Sequence, residues 1–187
     1  MPFQYKRLKI PDVLLVTPAV FKDRRGLFAE VYKKDDFEKI GIMNPFVQTN
    51  YSESKKNVLR GLHFQIHPFA QAKLLRVLEG DVFDVAVDIR RGSPTYAKWV
   101  CCKLASSKKE ILYVPEGFAH GFFVLSKKAI VVYECTQIYS PKHERGLRWD
   151  DPFLRVDWPN KKPILSPRDA NLPFLKDAEH DFTYGQS

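Results

Sequence analysis

A histidine and a lysine on two neighbouring predicted strands are the first residues with the means to do chemistry. His63 lies in the apolar run 58–65, and Lys73 begins the run 73–78. Side chains two residues apart on a strand point to the same side, so His63 and Gln65 share a face. A single inward polar group is often only a hydrogen-bonded core residue, but a buried imidazole and a buried ammonium are costly unless they are paired. Together they indicate a candidate catalytic site.

A second histidine stands just after a predicted turn. Residues 115–121 read Pro-Glu-Gly-Phe-Ala-His-Gly, so a proline and a glycine precede His120 at fixed spacing. Proline and glycine favour a tight turn, which would direct His120 into the mouth of a β-barrel. As a signal of a functional site, this P-x-G-x-x-H pattern is far more specific than an isolated histidine.

Short apolar runs separated by turn residues must position these side chains. The clearest is 82–89, whose period of two gives one fully apolar face, made of Phe83, Val85, Val87 and Ile89. The opposite face carries Val82, Asp84, Ala86 and Asp88. The other runs are 13–17, 27–32, 46–52, 58–65, 73–78, 99–104, 110–114, 121–125 and 130–139. Many short strands at this spacing predict an all-β sandwich or barrel.

Residues 1–187 are expected to form a single domain. The hydrophobic share of 44% excludes a disordered chain. Only 34–40 reads as a helix, with Asp35 or Asp36 near its start and Gly41 past its end. From about residue 152, frequent prolines predict coil and short helices that wrap the barrel.

Charge and cysteine usage limit the classes of partner. The 30 Lys and Arg exceed the 22 Asp and Glu by 8, which favours either an anionic ligand or a solvated basic surface. The lysines occur in scattered pairs, so we expect no nucleic acid. No apolar run has the length of a signal peptide or a membrane span, so we expect a cytoplasmic protein without a membrane partner. The cysteines Cys101, Cys102 and Cys135 form neither a disulfide framework nor a zinc motif.

The P-x-G-x-x-H pattern resembles the second motif of the cupin superfamily. That resemblance implies a double-stranded β-helix, or jelly roll, with short peripheral helices. The first motif of metal-binding cupins reads H-x-H followed by a glutamate, whereas this chain has His63-Phe64-Gln65 followed by Lys73. An amide is a poor metal ligand, and a lysine ammonium would repel a divalent ion. We therefore expect neither a metal nor any other cofactor.

The chain resembles the dTDP-4-dehydrorhamnose 3,5-epimerase family over nearly its whole length. The strings that carry the resemblance are DRRGLFAE at 23–30, FVQTN at 46–50, VLRGLHFQ at 58–65, AQAKL at 70–74, DVFDVAVD at 81–88 and PEGFAHGF at 115–122. Tyr133, Tyr139, Gly146, Trp149 and the string LSPRD at 165–169 extend it. The resemblance implies inversion of carbons 3 and 5 of dTDP-4-dehydro-6-deoxy-D-glucose through enolate intermediates, in dTDP-L-rhamnose biosynthesis.

The same resemblance implies four catalytic roles. His63 would remove the acidic proton beside the ketone, since an imidazole titrates near neutral pH. Asp169 would orient His63, Tyr133 would supply a proton from the opposite face, and Lys73 would stabilise the enolate oxygen. Taken alone, Asp169 would be an ordinary turn residue and Tyr133 a core aromatic.

Further positions match substrate contacts of the family, a dTDP-sugar being the expected small-molecule partner. The arginines assigned to the diphosphate are Arg25, Arg60 and Arg168, and the other assigned contacts are Glu30, Gln48, Asn50, His120, Tyr139 and Glu144. Tyr139 would stack on the thymine, and Phe21 or Phe28 of a second chain could cover its other side in a homodimer. Strand alternation turns Arg60 away from His63, unless Gly61 marks a bulge or the ligand spans a strand edge. Thr49 stands where relatives usually have an aspartate.

Three other functions remain open at this point. The first is a single-position epimerase of a related 4-keto-6-deoxy sugar nucleotide. The second is a non-catalytic cupin that binds sugars or small anions. The third is a metal-dependent cupin oxygenase or isomerase, against which the His63-Phe64-Gln65 string and Lys73 argue.

Overall fold

Two antiparallel sheets pack face to face in the computed structural model, which describes residues 3–185. One sheet has six strands in the order β1 (Phe3–Arg7), β2 (Leu14–Pro18), β10 (Ile111–Val114), β7 (Lys73–Glu79), β12 (Lys128–Cys135) and β5 (Gln48–Lys55). The other has five, in the order β13 (Glu144–Gly146), β6 (Leu59–Gln65), β11 (Phe118–Val124), β8 (Asp81–Asp88) and β9 (Trp99–Ala105). From β5 to β13 the chain changes sheet at every step except β8 to β9, which is the path of a jelly roll. The predicted all-β fold is confirmed.

Peripheral elements complete the described part of the chain. A separate hairpin joins β3 (Val20–Asp23) to β4 (Gly26–Ala29), and each of these strands pairs only with the other. The helices are α1 (Lys34–Glu38), α2 (Pro167–Ala170) and a 3-10 turn at Leu175–Asp177. Within residues 3–185, no helix has the length and hydropathy needed to cross a bilayer.

The faces of β8 show how the core is divided. Its apolar side, with Val85 and Val87, packs outwards against Trp158 and Phe182 of the C-terminal segment. Its other side turns Val82 and Ala86 into the interior between the sheets, where they meet apolar side chains of β7, β10 and β12. Each buried aliphatic or aromatic side chain of this kind stabilises the fold by about 1.5–3 kcal/mol. The C-terminal coil therefore closes the outside of the five-stranded sheet, as its prolines predicted.

The six-stranded sheet is covered differently. The single predicted helix exists as α1, shorter than expected, and it buries Phe37 against Phe3 of β1 with ring centroids 5.2 Å apart. The interior between the sheets is apolar at one end and polar at the other. The polar end forms the candidate site.

Candidate active site

A cavity of about 660 Å³ opens between the two sheets, a volume typical of small-molecule sites. Eleven of the thirteen residues predicted to form the site line it: Gln48, Asn50, Arg60, His63, Lys73, His120, Tyr133, Tyr139, Glu144, Arg168 and Asp169. They come from both sheets and from the C-terminal segment, so distant parts of the sequence meet in one place.

The predicted pairing of His63 with Asp169 is present. Nε2 of His63 lies 2.8 Å from Oδ1 of Asp169, which is buried at 4% exposure. Helix α2 presents this carboxylate because Ser166 caps its start by accepting a hydrogen bond from the Asp169 amide, and Pro167 follows at the first helical position. Burial alone would raise the pKa of Asp169, but the hydrogen bonds from His63, from the Gly61 amide and from Ser166 outweigh it and lower that pKa. A charged carboxylate thus stands behind the imidazole.

A β-bulge resolves the orientation of Arg60. In the pairing of β6 with β11, His63 lies opposite His120 and Arg60 opposite Phe122, so two residues of β6 face one residue of β11. The extra residue turns Arg60 to the same side as His63, and both line the cavity. Gly61 has φ +121°, and a Cβ there would lie 2.5 Å from the Cα of Gly121, so only glycine permits this approach.

Lys73 and Tyr133 face the two histidines from the other wall. Both belong to the six-stranded sheet, on paired strands β7 and β12, whereas His63 and His120 belong to the five-stranded sheet. Lys73 is 9% exposed, and its ammonium donates to the His63 carbonyl at 3.3 Å. Burial lowers the pKa of Lys73, while Cys135, Glu144 and Asp84 oppose the shift. Burial raises the pKa of Tyr133, which keeps its phenol protonated.

His120 has a carboxylate partner that the sequence analysis did not assign. Its Nε2 lies 2.9 and 3.1 Å from the two oxygens of Asp84, which is fully buried. The available signal was a charged residue on the face of 82–89 that also carries Val82 and Ala86. Only the pairing of β8 with β11 brings it to His120.

Glu144 organises the mouth of the cavity. Its Oε2 accepts hydrogen bonds from the Tyr139 hydroxyl, at 2.5 Å, and from the Arg168 guanidinium. Gln48 accepts from the Tyr139 amide at 2.7 Å and donates to Asn50 at 2.9 Å. These contacts place an aromatic ring, an arginine and two amides around the entrance.

Gln65 stands where a metal-binding cupin would have a ligand, and its amide is occupied by backbone contacts. It donates to the carbonyls of Phe69 and Ile138 at 2.7 and 3.1 Å and accepts from the Ser140 amide at 2.7 Å. No cluster of three or more His, Cys, Asp or Glu residues suited to a metal occurs within 3–185. Gln65 therefore fixes the two loops at the mouth, including the one that carries Tyr139.

Two predicted contacts lie away from the cavity of their own chain. Arg25 is in the turn of the β3–β4 hairpin, its side chain is 85% exposed, and it pairs with Asp23 at 2.6 Å. Glu30 directly follows β4. The hairpin also exposes Phe21 and Phe28, the latter at 66%. The physical reason is that, within residues 3–185, this hairpin pairs with neither large sheet.

The Thr49 substitution does not alter the cavity of this chain. Gln48 and Asn50 face inwards, and Thr49 between them is exposed on the other side of β5. The absence of an aspartate at this position therefore leaves the inward contacts of the strand intact.

The jelly-roll path, the interior histidines and the turn that delivers His120 define a protein of the cupin class. The sequence model of the dTDP-4-dehydrorhamnose 3,5-epimerase family matches residues 7–177. A dTDP-4-dehydrorhamnose 3,5-epimerase of Salmonella typhimurium is 51% identical over 171 residues, covering 90% of this chain and 93% of that protein. One from Shigella flexneri is 49% identical over 175 residues, covering 93% and 97%. The chain belongs to the dTDP-4-dehydrorhamnose 3,5-epimerase family.

A solved structure extends the likeness to three dimensions. It is the dTDP-6-deoxy-D-glucose-3,5-epimerase of Legionella pneumophila in complex with dTDP-4-keto-L-rhamnose. The TM-score is 0.90 at 43% identity, and the match covers 93% of each chain. Agreement at this level confirms the cupin-type fold predicted from the sequence.

Proposed function

We propose that the chain is a dTDP-4-dehydrorhamnose 3,5-epimerase, which inverts carbons 3 and 5 of dTDP-4-dehydro-6-deoxy-D-glucose. One observation carries the proposal: His63 and Tyr133 face a single cavity from opposite sheets, with the Lys73 ammonium in the same wall as the tyrosine. Inverting a carbon requires proton removal on one face and proton delivery on the other, so the two groups have the required disposition.

The contact with Asp169 selects the nitrogen of His63 that acts as the base. A carboxylate only accepts hydrogen bonds, so Nε2 carries the hydrogen and Nδ1 holds the free electron pair. Nδ1 takes the proton beside the ketone, the C–H electron pair moves into the new C–C double bond, and the carbonyl electrons move onto oxygen. Tyr133 then protonates the carbon from the other face. Exchange with solvent returns a proton to Tyr133 and removes one from His63.

Lys73 is suited to the enolate oxygen. An ammonium in a poorly solvated wall stabilises developing negative charge more strongly than it would in water. Among the described residues its ammonium makes one hydrogen bond, to the His63 carbonyl, which leaves two of its hydrogens for a ligand. In this proposal the ammonium lies beside the enolate oxygen, whose negative charge appears only as the reaction proceeds.

The nucleotide is assigned to the mouth of the cavity. Arg60 and Arg168 bind the diphosphate, since a planar guanidinium matches two phosphate oxygens. Arg60 is held by its Nε, which donates to the Ser54 hydroxyl at 2.9 Å, and by Nη2, which donates to the Glu53 carbonyl at 3.5 Å. Its Nη1 remains for the ligand. Tyr139 stacks on the thymine, and Gln48, Asn50 and Glu144 contact the nucleotide or the sugar.

The three cysteines are free, which agrees with the reducing cytoplasm as the compartment.

A homodimer completes the site in this proposal. The β3–β4 hairpin of one protomer reaches the cavity mouth of its partner and supplies Arg25, Glu30 and the face of Phe21 or Phe28. The support is the exposure of both aromatic rings and the absence of any pairing of the hairpin with the two large sheets within residues 3–185.

Complementation tests the shared site. Arg25→Ala and His63→Ala protomers are each expected to be nearly inactive as homodimers. Co-expressed with distinct tags, they form a heterodimer in which one cavity keeps both residues, so about half of the activity of one dimer returns. Failure of the purified heterodimer to recover activity would contradict the shared site, but it would not contradict the proposed reaction.

The reaction is tested with dTDP-4-keto-6-deoxyglucose and a reductase specific for the doubly inverted product. Wild-type protein is expected to support oxidation of the reductase cofactor, and His63→Asn is expected to reduce the rate by about 10²–10⁴-fold, the usual contribution of a general base. Folded wild-type protein that gives no product, or a product inverted at only one carbon, overturns the proposal. Loss of activity on treatment with a chelator would instead support a metal-dependent cupin.

A further inference from the structure

A second histidine–carboxylate pair lies beside the proposed base. His120 is the residue directly opposite His63 in the pairing of β6 with β11. Its Nε2 contacts both oxygens of Asp84, which projects from β8 on the same side, diagonally across from it. The cavity is therefore lined by two imidazoles on adjacent strands, and each has its own carboxylate behind it.

Asp84 has no other hydrogen-bonding partner among the described residues. It is completely buried and does not line the cavity, and its neighbours on that face of β8 are the apolar Val82 and Ala86. A lone buried carboxylate is costly, and an apolar residue would fill the same place without that cost. Stability therefore does not account for it.

Asp88, four residues further along β8 on the same face, provides the contrast. It is equally buried, but it accepts hydrogen bonds from Arg90, Ser93 and Thr95 and ties down the loop that follows β8. Asp88 is a structural anchor with several partners, whereas Asp84 serves one imidazole that faces the cavity.

We propose that Asp84 is a positioning residue, which holds the hydrogen of His120 on Nε2 and thereby presents Nδ1 to the sugar as a hydrogen-bond acceptor. The carboxylate accepts only, so the contact fixes both the tautomer and the tilt of the ring. Nδ1 has no hydrogen-bond partner within residues 3–185, which leaves it for a hydroxyl of the bound sugar. The contact with the sugar rests on the proposed function; the tautomer does not.

Asp84 also supplies negative charge to the wall that holds Lys73. Burial raises the pKa of Asp84, while His120 of β11 and Lys73 of β7 oppose the shift, and Cys102 lies opposite Asp84 in the pairing of β8 with β9. Cys135 lies opposite Lys73 in the pairing of β12 with β7, and Cys135, Glu144 and Asp84 each act to raise the pKa of Lys73 against the effect of burial. Removing the charge of Asp84 therefore favours the neutral form of Lys73, so the protein loses its ammonium at a lower pH.

The first test reads the tautomer directly, without substrate. Nitrogen NMR of ¹⁵N-histidine-labelled protein separates ring nitrogens that carry hydrogen from those that do not, and a His120→Gln sample assigns His120 among the five histidines. Wild-type His120 is expected to show hydrogen on Nε2 alone, and Asp84→Asn to show a mixture of tautomers. Asp88→Asn serves as the matched control, since it also neutralises a buried β8 carboxylate, and should leave the His120 signals unchanged. An unchanged spectrum in folded Asp84→Asn overturns the inference.

The second test reads the reaction. Asp84→Asn is expected to lower kcat by about 10–100-fold, the range found for carboxylates that orient metal-bound histidines, and to move the alkaline limb of the kcat profile to lower pH. Asp88→Asn should lower thermal stability and leave both properties near wild type. Wild-type protein without epimerase activity would defeat the proposed function and leave the NMR result standing. If Asp84→Asn keeps the wild-type kcat and an unshifted pH profile of kcat, the inference fails and the proposed function stands.

Discussion

Replacing Lys73 by methionine separates catalysis from stability. Methionine has a similar length and is apolar, so the side chain can occupy the same space without a charge. If the ammonium stabilises the enolate, its loss raises the barrier by about 2.7–4 kcal/mol and lowers kcat by about 10²–10³-fold. Most substitutions that abolish activity by damaging the fold lower stability as well, whereas Lys73→Met is expected to lower kcat without lowering the free energy of unfolding.

The stability change follows from burial. Lys73 is 9% exposed, and its ammonium makes one hydrogen bond, of 3.3 Å, to the part of the chain that the structure describes. Replacing a buried ion pair by well-packed apolar residues stabilises proteins by about 1–4 kcal/mol in favourable cases. Because Lys73 bonds to a carbonyl and not to a carboxylate, its replacement breaks no ion pair, and the lost hydrogen bond costs about 0.5–1.5 kcal/mol. The free energy of unfolding of Lys73→Met should therefore equal that of wild type or exceed it by up to about 3 kcal/mol.

Urea unfolding against pH gives the sharpest measurement. Burial puts the pKa of Lys73 in the folded protein below its ordinary value of 10.5. Between these two pKa values the unfolded chain binds more protons, so the free energy of unfolding of wild type gains a contribution that rises with pH. That contribution should be absent in Lys73→Met.

Lys103→Met is the control, because Lys103 is an exposed lysine on a strand. Its replacement should change the free energy of unfolding by less than about 0.5 kcal/mol and leave turnover at the wild-type level. A Lys73→Met protein that keeps its turnover, or that unfolds more than about 1 kcal/mol more easily than wild type, would refute the reasoning.

Further predictions concern the base and the bulge beside it. Asp169→Asn should lower kcat by about 10²–10⁴-fold. Because the pKa of Asp169 is lower in the folded protein than in the unfolded chain, its charge stabilises the fold above the unfolded-state pKa. This stabilisation is lost as the pH falls through the folded-state pKa. The acid unfolding of Asp169→Asn, followed by circular dichroism, should therefore depend less on pH in that window. Gly121→Ala places a Cβ 2.7 Å from the Arg60 carbonyl and 3.1 Å from the Cα of Gly61, so it should destabilise by about 1–3 kcal/mol and raise KM by displacing Arg60. An unchanged Tm and KM would contradict the close approach.

Alternation of apolar residues was enough to predict most of the strands. The pattern at 82–89 predicted β8 within one residue, because a strand buried on both sides still shows its period. The pattern did not reveal that the fully apolar face lies outside, under the C-terminal coil, and that the face carrying Asp84 lies inside. Both faces are buried, so the sequence held no contrast between core and solvent.

The missed strands have a common physical cause. Strands β1 and β3 are largely exposed, and β13 has only three residues, so none shows a clear apolar alternation. The last predicted run, 130–139, ends as a strand at Cys135, because its remainder forms the loop that Gln65 holds. Pairing with neighbours, which local sequence does not encode, determined these elements.

Contacts between distant segments account for the rest of the site. Asp169 lies 106 residues from His63 and meets it only because the C-terminal segment folds back over the five-stranded sheet. The turn of Arg60 into the cavity needed the bulge at Gly61, which a glycine suggests but does not prove. The sequence resemblance assigned both residues to the site, and both line the cavity, whereas strand parity alone would have discarded Arg60.

The most direct test of the central claim is hydrogen exchange during turnover in D₂O. If His63 and Tyr133 act from opposite sides through enolates, wild-type protein should incorporate deuterium at carbons 3 and 5 of the sugar, detected by proton NMR and mass spectrometry. His63→Asn, folded and still able to bind dTDP, should incorporate deuterium at both carbons about 10²–10⁴-fold more slowly than wild type. Exchange at both carbons in His63→Asn at the wild-type rate would contradict the account.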